Sequence, residues 1–259
     1  MTLTQPNFKT APGHQVLAAA GKKVLRPGGS SATEQLFAWA DFQPGETVLE
    51  LASSFGYSAI ALAQRYGVQV VGIEKNPDSV ARAQANIAAV GLTDQIQIIE
   101  GDIFHLDQIP GQFDYVLAEA ILTMQSEPGK AKILAGICDR LKSKGQFLSH
   151  ELRVGGSESD MIRQDLSTTI RVNAAPLSAE EWIAACQDAG LAVEQHDSGP
   201  MHLLNPRRIA QEEGLTTLLT IGWNVLTRPV LRQRILSMRE TFVRHSNDLG
   251  YMVLRARKG

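Results

Sequence analysis

The sequence predicts an α/β fold: a doubly wound, mostly parallel sheet preceded by N-terminal helices, with a helical cap inserted before the last strand. Three observations carry that expectation. An apolar run, Thr47-Val-Leu-Glu-Leu51, ends in the small-residue stretch Ala52-Ser-Ser-Phe-Gly56 and passes straight into a helical pattern. Two further apolar runs, Val68-Gln-Val-Val-Gly-Ile-Glu74 and Ile96-Gln-Ile-Ile-Glu-Gly-Asp102, each end in an acid. Helical stretches alternate with these runs, and such alternation places helices on both faces of a parallel sheet.

Taken in order, Pro12 to Gly21 is a short alanine-rich helix with Gly21 as its stop. Lys22 to Gly29 is a loop, and Ser31-Ala-Thr-Glu34 has the spacing of a capping box opening a second helix through Leu36, Phe37 and Trp39. Tyr57 to Tyr66 is the first crossover helix. Asn76-Pro77 caps the next, which runs to Val90, and Pro128 to Leu141 gives another. Ile162, Leu166 and Ile170 share a helical face, Ser178 to Glu181 caps a further helix, and Leu191 to Asp197 reads as a strand.

The segment from His202 to His245 is too long and too helical for a loop. Leu215, Leu218, Leu219, Gly222, Trp223 and Leu226 follow one helical face, as do Leu231, Ile235, Met238 and Phe242 beyond Pro229. Leu215 to Thr227 is uncharged but well short of the ~20 apolar residues that span a bilayer, so a buried helix is expected.

The turn after the first run points to chemistry. Ala52 to Gly56 leave the backbone accessible, and free N–H groups meet the positive end of a helix dipole there, which suits an anionic group. Glu74 lies about 20 residues further on, where an acid holds a ribose diol in such sheets. These residues resemble the class I S-adenosylmethionine (SAM)-dependent methyltransferases, whose first motif reads acid-x-Gly-x-Gly-x-Gly. Here it is Glu50-Leu-Ala52-Ser-Ser54-Phe-Gly56, with two of the three glycines replaced. Ala52 and Ser54 are therefore expected to take unstrained backbone angles.

The resemblance implies a Rossmann-like sheet of seven strands and SAM as cofactor. It places the cofactor against Glu50, Ala52, Ser53, Ser54 and Gly56, its ribose on Glu74 beside Lys75, and its adenine near Asp102 and Ile103. It likens Phe113 to Glu119 to the fourth strand, Leu141 to Leu148 to a turn and fifth strand, and Tyr251 to Arg257 to the last. The implied organisation is a helical lid at 1–45, a SAM-binding core at 46–200, a helical cap at 201–248 and the final strand at 249–259.

In related small-molecule enzymes the segment before the first strand closes over cofactor and substrate, and residues 1–45 resemble it. Arg26 could pair with the methionine carboxylate of SAM, or be a solvated loop residue. His14 and Phe8 could line the substrate mouth or serve in packing. Glu119 could hydrogen-bond an amine acceptor or the amino group of SAM, or cap a helix. His150, followed by Glu151, and His202, beside Met201, are candidate bases because imidazole changes charge near neutral pH; a backbone-bonded histidine is the alternative for each.

The expected reaction is methyl transfer to nitrogen, oxygen or carbon of a small molecule, as in the ubiquinone-biosynthesis and glycine or sarcosine N-methyltransferases. The cap favours an enclosed, partly apolar acceptor. A nicotinamide-dependent oxidoreductase would need Gly-x-Gly-x-x-Gly, which the turn lacks; a non-catalytic metabolite-binding protein on the same fold is the other alternative.

At 259 residues and 44% hydrophobic the chain can bury a sizeable core, and its net charge of −2 gives no basic footprint for nucleic acid. Met1 to Lys9 lacks the pattern of a signal peptide, so a cytoplasmic protein without membrane association is expected. Cys138 and Cys186 lie in apolar helical patterns and should be free and buried. They have no zinc spacing, no metal site is expected, and their small number counts against a thiol-dependent arsenic methyltransferase. Arg228, Arg232, Arg234, Arg239 and Arg244 lie together in the cap, as a solvated face or as a surface for an anionic substrate or partner. An exposed part of the apolar cap would support a homo-dimer.

Overall fold

Parallel strands buried on both faces need apolar side chains at nearly every position, and the runs singled out above supply them. In the computed structural model, which describes residues 7–259, α1 (Gly13–Ala20) and α2 (Gly29–Ala40) lead into β1 (Thr47–Leu51), α3 (Tyr57–Tyr66), β2 (Gln69–Glu74), α4 (Pro77–Ala89) and β3 (Ile96–Glu100). Then follow β4 (Phe113–Glu119), α5 (Glu127–Arg140), β5 (Leu141–Val154), α6 (Ser159–Ile170), α7 (Ala179–Asp188) and β6 (Leu191–Pro200). The cap is α8 (Pro206–Glu213), α9 (Leu215–Thr227) and α10 (Pro229–Arg244), and β7 (Leu249–Lys258) closes the chain. The first six residues of the expected lid, with most of the segment examined for a signal peptide, lie outside the described residues.

The seven strands lie in the order β3-β2-β1-β4-β5-β7-β6, with β7 antiparallel to both neighbours. The chain winds outward from β1 to β3 and then returns to β4 on the other side of β1. Ligands bind at such a reversal, outside the carboxyl ends of the strands. Leu51 is level with Ala118 of β4 and Ile73 of β2, so the ends of these three strands share one edge.

One face of the sheet packs Phe37, Leu62, Ile87 and Leu117 beneath α2, α3 and α4; the other packs Leu49, Ile133, Ile137 and Trp182 beneath α5 and α7. A third cluster joins α1, α6 and α10 through Val16, Leu166, Leu231 and Met238, so lid and cap share a core. No helix is long and apolar enough to cross a membrane among the described residues.

Most local expectations hold. Asn76 caps its helix, and the reciprocal Ser178–Glu181 box is formed. The Ser31–Glu34 box is not. α2 begins two residues earlier, Ser31 bonds back to the Gly28 carbonyl, and Glu34 pairs with Arg65 at 2.6 Å. The Gly28 N–H is drawn instead to His150 Nε2 at 2.9 Å, which fixes where the helix starts. A Cβ on Gly28 would lie 2.6 Å from Ala32 and 2.7 Å from the Tyr251 ring, so the lid approaches the sheet here only because the residue is glycine.

The apolar face of α9 is not buried. Leu215, Leu219, Trp223 and Leu226 are 67 to 73% exposed, while Thr217 and Ile221 point inward. Asn224 anchors this orientation by donating to the Ala20 carbonyl at 3.0 Å, and Thr220 lies against Gly21. α10 buries Leu231, Ile235, Met238 and Phe242 as expected. Cys186 is buried, which raises its thiol to about 12, but Cys138 is only half-buried. Arg234 is also buried, donating to the Phe8 and Thr169 carbonyls, so the five cap arginines do not form one solvated face.

Candidate active site

The turn after β1 takes up glycine-like geometry without the glycines. Ala52, Ser54 and Gly56 have φ of 53°, 50° and 76°. The two substituted positions are thus left-handed, contrary to the expectation of unstrained angles, and for a residue with a Cβ this costs roughly 1–2 kcal/mol. Ser54→Gly should remove that strain, offset by about 0.4–1 kcal/mol of added unfolded-state freedom. A net gain of about 0.5 kcal/mol, read as a higher denaturation midpoint with unchanged slope, is the expected result.

The turn is held by the end of β2. Glu74 accepts the N–H of Ser54 through one carboxylate oxygen and that of Asn76 through the other, both at 2.9 Å. Each oxygen keeps a further acceptor site, which suits a diol. The Gly101 N–H bonds to the Glu74 carbonyl, placing Asp102 and Ile103 on the same edge. Lys75 pairs with Asp102 at 2.7 Å; this bond lowers the Asp102 pKa against the opposing effect of burial.

At the carboxyl end of β4, beside β5, lies a buried polar cluster centred on Glu119. It accepts from Thr33 Oγ1 at 2.5 Å, Ser58 Oγ at 3.0 Å and Arg26 Nε at 3.0 Å, with His150 Nδ1 at 3.6 Å. Burial opposes ionisation of Glu119, but Arg26, His150 and Thr33 outweigh it and hold the carboxyl at about 2. Arg26 also bonds to Ser58, so its guanidinium lies in the crevice rather than in solvent.

Glu50 has the opposite balance. Burial, with repulsion from Glu119, raises it to about 7 despite hydrogen bonds from Ser53 and Ser58. Its Oε2 is buried with no hydrogen-bond partner among the described residues.

His150 is fully buried on β5. Because Nε2 accepts from Gly28, its proton belongs on Nδ1, facing Glu119 and Thr33. Burial lowers its pKa, and in this neutral form both ring nitrogens are engaged. His202 is exposed, beside a small cavity it shares with Arg26, Pro27 and Arg208. It has no side-chain hydrogen bond among the described residues.

The lid is clasped from outside as well. Lys22 pairs with Glu213 at 2.5 Å, and Arg208 bonds to the Gly28 carbonyl and to Ser31 Oγ at 2.6 Å. Lys22, Thr33, Ser58 and Arg208 were missed in the sequence because their partners are distant along the chain; only the small side chain at Ser58, directly after the turn, gave a hint.

Beside Ala120, the residue after Glu119, a cavity of about 80 Å³ opens between lid and cap. Leu17, Leu25, Met124, Leu166, Met238 and Phe242 supply much of its wall, and His14, itself exposed, is the one titratable side chain among the described residues that line it. A groove of about 520 Å³ along Gln69, Gln95 and Gln97 lies at the amino ends of β1, β2 and β3, away from the carboxyl edge that carries Glu50, Glu74 and Glu119.

These residues fit SAM. A buried acceptor without a partner calls for a donor, and the ammonium of the methionine moiety supplies one at Glu50. Glu74, with a further acceptor site on each oxygen, would present acceptors to the ribose of SAM.

Comparison with known proteins agrees. A family model described as a methyltransferase domain matches residues 42–205. An uncharacterized protein of Haemophilus influenzae is 32% identical over 246 residues, covering 95% of this chain and 98% of its own. The 23S rRNA (uracil(1939)-C(5))-methyltransferase RlmD of Photobacterium angustum is 31% identical over 145 residues, 55% of this chain and 63% of its own. Among solved structures, a putative sarcosine dimethylglycine methyltransferase from Galdieria sulphuraria superposes with a TM-score of 0.72 at 15% identity, over 89% of this chain and 84% of its own. The match to the methyltransferase domain, spanning the turn, Glu74, Asp102 and Glu119, shows that this chain belongs to the class I SAM-dependent methyltransferases.

Proposed function

We propose that this enzyme methylates a small, largely apolar acceptor bearing one ionisable O–H or N–H, held between lid and cap. The observation that carries this reading is the cavity beside Ala120, whose wall is apolar apart from Thr123 and His14. Thr123 is already committed, donating to Glu151 and accepting from the Leu152 N–H. His14 is therefore the group available to an acceptor proton.

SAM supplies a methyl group already activated on a sulfonium. Glu50 takes its ammonium, the 52–56 turn and Glu74 its ribose, and Asp102 with Ile103 its adenine. Glu119 holds Arg26 and, through Thr33, the start of α2, so the lid closes over the crevice and water is kept out. Arg26, held by Glu119 and Ser58, would offer its remaining guanidinium N–H groups to the methionine carboxylate. His150 positions the lid through Gly28.

Desolvation of its ring lowers the His14 pKa, with the charge of Glu74 opposing, which favours the neutral imidazole that can accept a proton. The acceptor contributes the bonding electron pair, and good alignment alone lowers such a barrier by about 7–11 kcal/mol.

The test has two steps. S-adenosylhomocysteine, but not NADH, should raise the melting temperature. An acceptor screen covering phenols, amines and total RNA should then show transfer to an apolar small molecule, with His14→Gln lowering kcat by roughly 10²-fold at pH 7 and leaving S-adenosylhomocysteine affinity unchanged. Transfer to RNA alone, or a His14→Gln enzyme of undiminished rate, would overturn the reading.

A further inference from the structure

The side of α9 that its periodicity assigns to the core faces outward, and its chemistry indicates what covers it. α9 has no charged residue, and Leu215, Leu219, Trp223 and Leu226 recur at steps of four, four and three, which puts them on one side of the helix. α10 packs beside it and buries Leu231, Met238 and Phe242 in the cluster that also takes Ile221 of α9. Both helices thus turn their outer sides away from the same core. On α10 that side carries Leu236 and Val243, 52% and 60% exposed, with Arg232 and Arg239 within a turn of them. Several large apolar side chains exposed on one side of a helix mark an interaction site.

Charge selects the occupant. Arg228, Arg232 and Arg239 have no ion-pair partner among the described residues, whereas Glu212, Glu213 and Glu240 are taken up by Arg208, Lys22 and Arg244. The face is therefore apolar with a cationic rim that no acid among the described residues neutralises. A second copy related by a two-fold axis would bring the same rim to the same interface and leave it unpaired. An anionic lipid surface satisfies both parts, with leucines and tryptophan at the headgroup boundary and arginines on phosphates.

We propose that the outer face of α9 and α10 docks the enzyme on an anionic lipid surface. This departs from the expectation of no membrane association. α10 presents Met238 and Phe242 to the acceptor cavity and Leu236 and Val243 to the outside. A docked cap therefore sets the cavity about one helix diameter, roughly 10 Å, from the lipid boundary, where an apolar acceptor partitions.

Flotation of the full chain with phosphatidylcholine vesicles, with and without phosphatidylglycerol, tests this independently of methyl transfer. The wild-type chain should float with the mixed vesicles at low salt and much less with phosphatidylcholine alone. Leu219→Glu and Trp223→Glu, both at exposed positions, should lower the partition coefficient roughly tenfold or more while leaving the melting curve and S-adenosylhomocysteine affinity unchanged. Arg232→Gln combined with Arg239→Gln should lower it about tenfold and flatten its salt dependence. Folded wild-type protein that stays unbound to mixed vesicles, or a Leu219→Glu variant that floats as well as wild type, would overturn the proposal. So would a dimer in sedimentation equilibrium that Leu219→Glu dissociates, because the face would then belong to a second copy. None of these results would disturb the methyltransferase assignment.

Discussion

Glu50→Gln is expected to make the free enzyme more stable above pH 7 and to make it bind SAM worse. In the fold, burial raises the Glu50 carboxyl from 4.5 to about 7. A group whose pKa is raised on folding stabilises the native state while it stays protonated. That contribution is complete below pH 4.5 and is lost as pH rises towards 7. At 1.36 kcal/mol per pH unit the full loss is about 3 kcal/mol. Glutamine does not titrate, so the variant escapes this loss. An unsatisfied amide offsets about a third of the gain, giving about 2 kcal/mol at pH 8. At pH 5 the two proteins should melt almost together.

The cofactor reverses the sign. A bound ammonium favours ionised Glu50, so S-adenosylhomocysteine binding near pH 6 should release a proton, seen by calorimetry in buffers of different ionisation enthalpy. Losing a charge-assisted hydrogen bond, about 1.5–3 kcal/mol, should weaken binding roughly 10- to 100-fold in Glu50→Gln. Unchanged affinity and no linked proton would remove Glu50 from the ammonium site. The buried carboxylate would then be a stability cost without a function, which is the opposite of the usual trade at active sites.

The second large effect lies in the wall of the acceptor cavity. Glu151, 2% exposed, accepts the backbone N–H groups of Ile121, Leu122 and Thr123 at 3.1, 2.9 and 2.9 Å and the Thr123 hydroxyl at 2.6 Å. Burial raises its pKa, yet every one of these partners donates, an arrangement that fits the carboxylate. These bonds shape the turn that places Ala120, Thr123 and Met124 around the cavity.

Glu151→Gln keeps the volume but turns an NH₂ group towards other donors. It should cost about 3 kcal/mol, a fall in melting temperature of roughly 6–12 °C for a chain of this size. A double-mutant cycle with Thr123→Val should show a coupling of at least about 1 kcal/mol. Additive effects would mean the turn is held by its packing alone. Cofactor affinity should change little, since Glu50, Glu74 and Asp102 lie on other strands, whereas any measured acceptor KM should rise.

Much of the fold was legible because its signals are local. Apolar runs with an acid at the end, Asn76-Pro77 and the Ser178–Glu181 box are written within a few residues and became the strands and caps expected of them. Ser31–Glu34 has the same spacing as the working box and failed, because the register of α2 is fixed by His150, over a hundred residues away in sequence. Position in the strand order likewise brought Glu74 and Asp102 to one edge, as their spacing implied. The roles of Thr33, Ser58 and Arg208 depend on partners that no local pattern records.

α9 shows most clearly where sequence stops. Helical periodicity established that Leu215, Leu219, Trp223 and Leu226 share a side, but periodicity is unchanged when a helix is rotated about its axis. Which side meets the core was decided by Thr217, Ile221 and Asn224 against α1, contacts that form only after the chain has folded. The sequence by itself thus determined the sheet, its ligand edge and the methyltransferase family. Tertiary structure alone decided which carboxylates carry charge, that Ala52 and Ser54 are held in strained conformations, and that the cap keeps an apolar face outside, because burial, ion pairing and helix orientation are properties of neighbours in space.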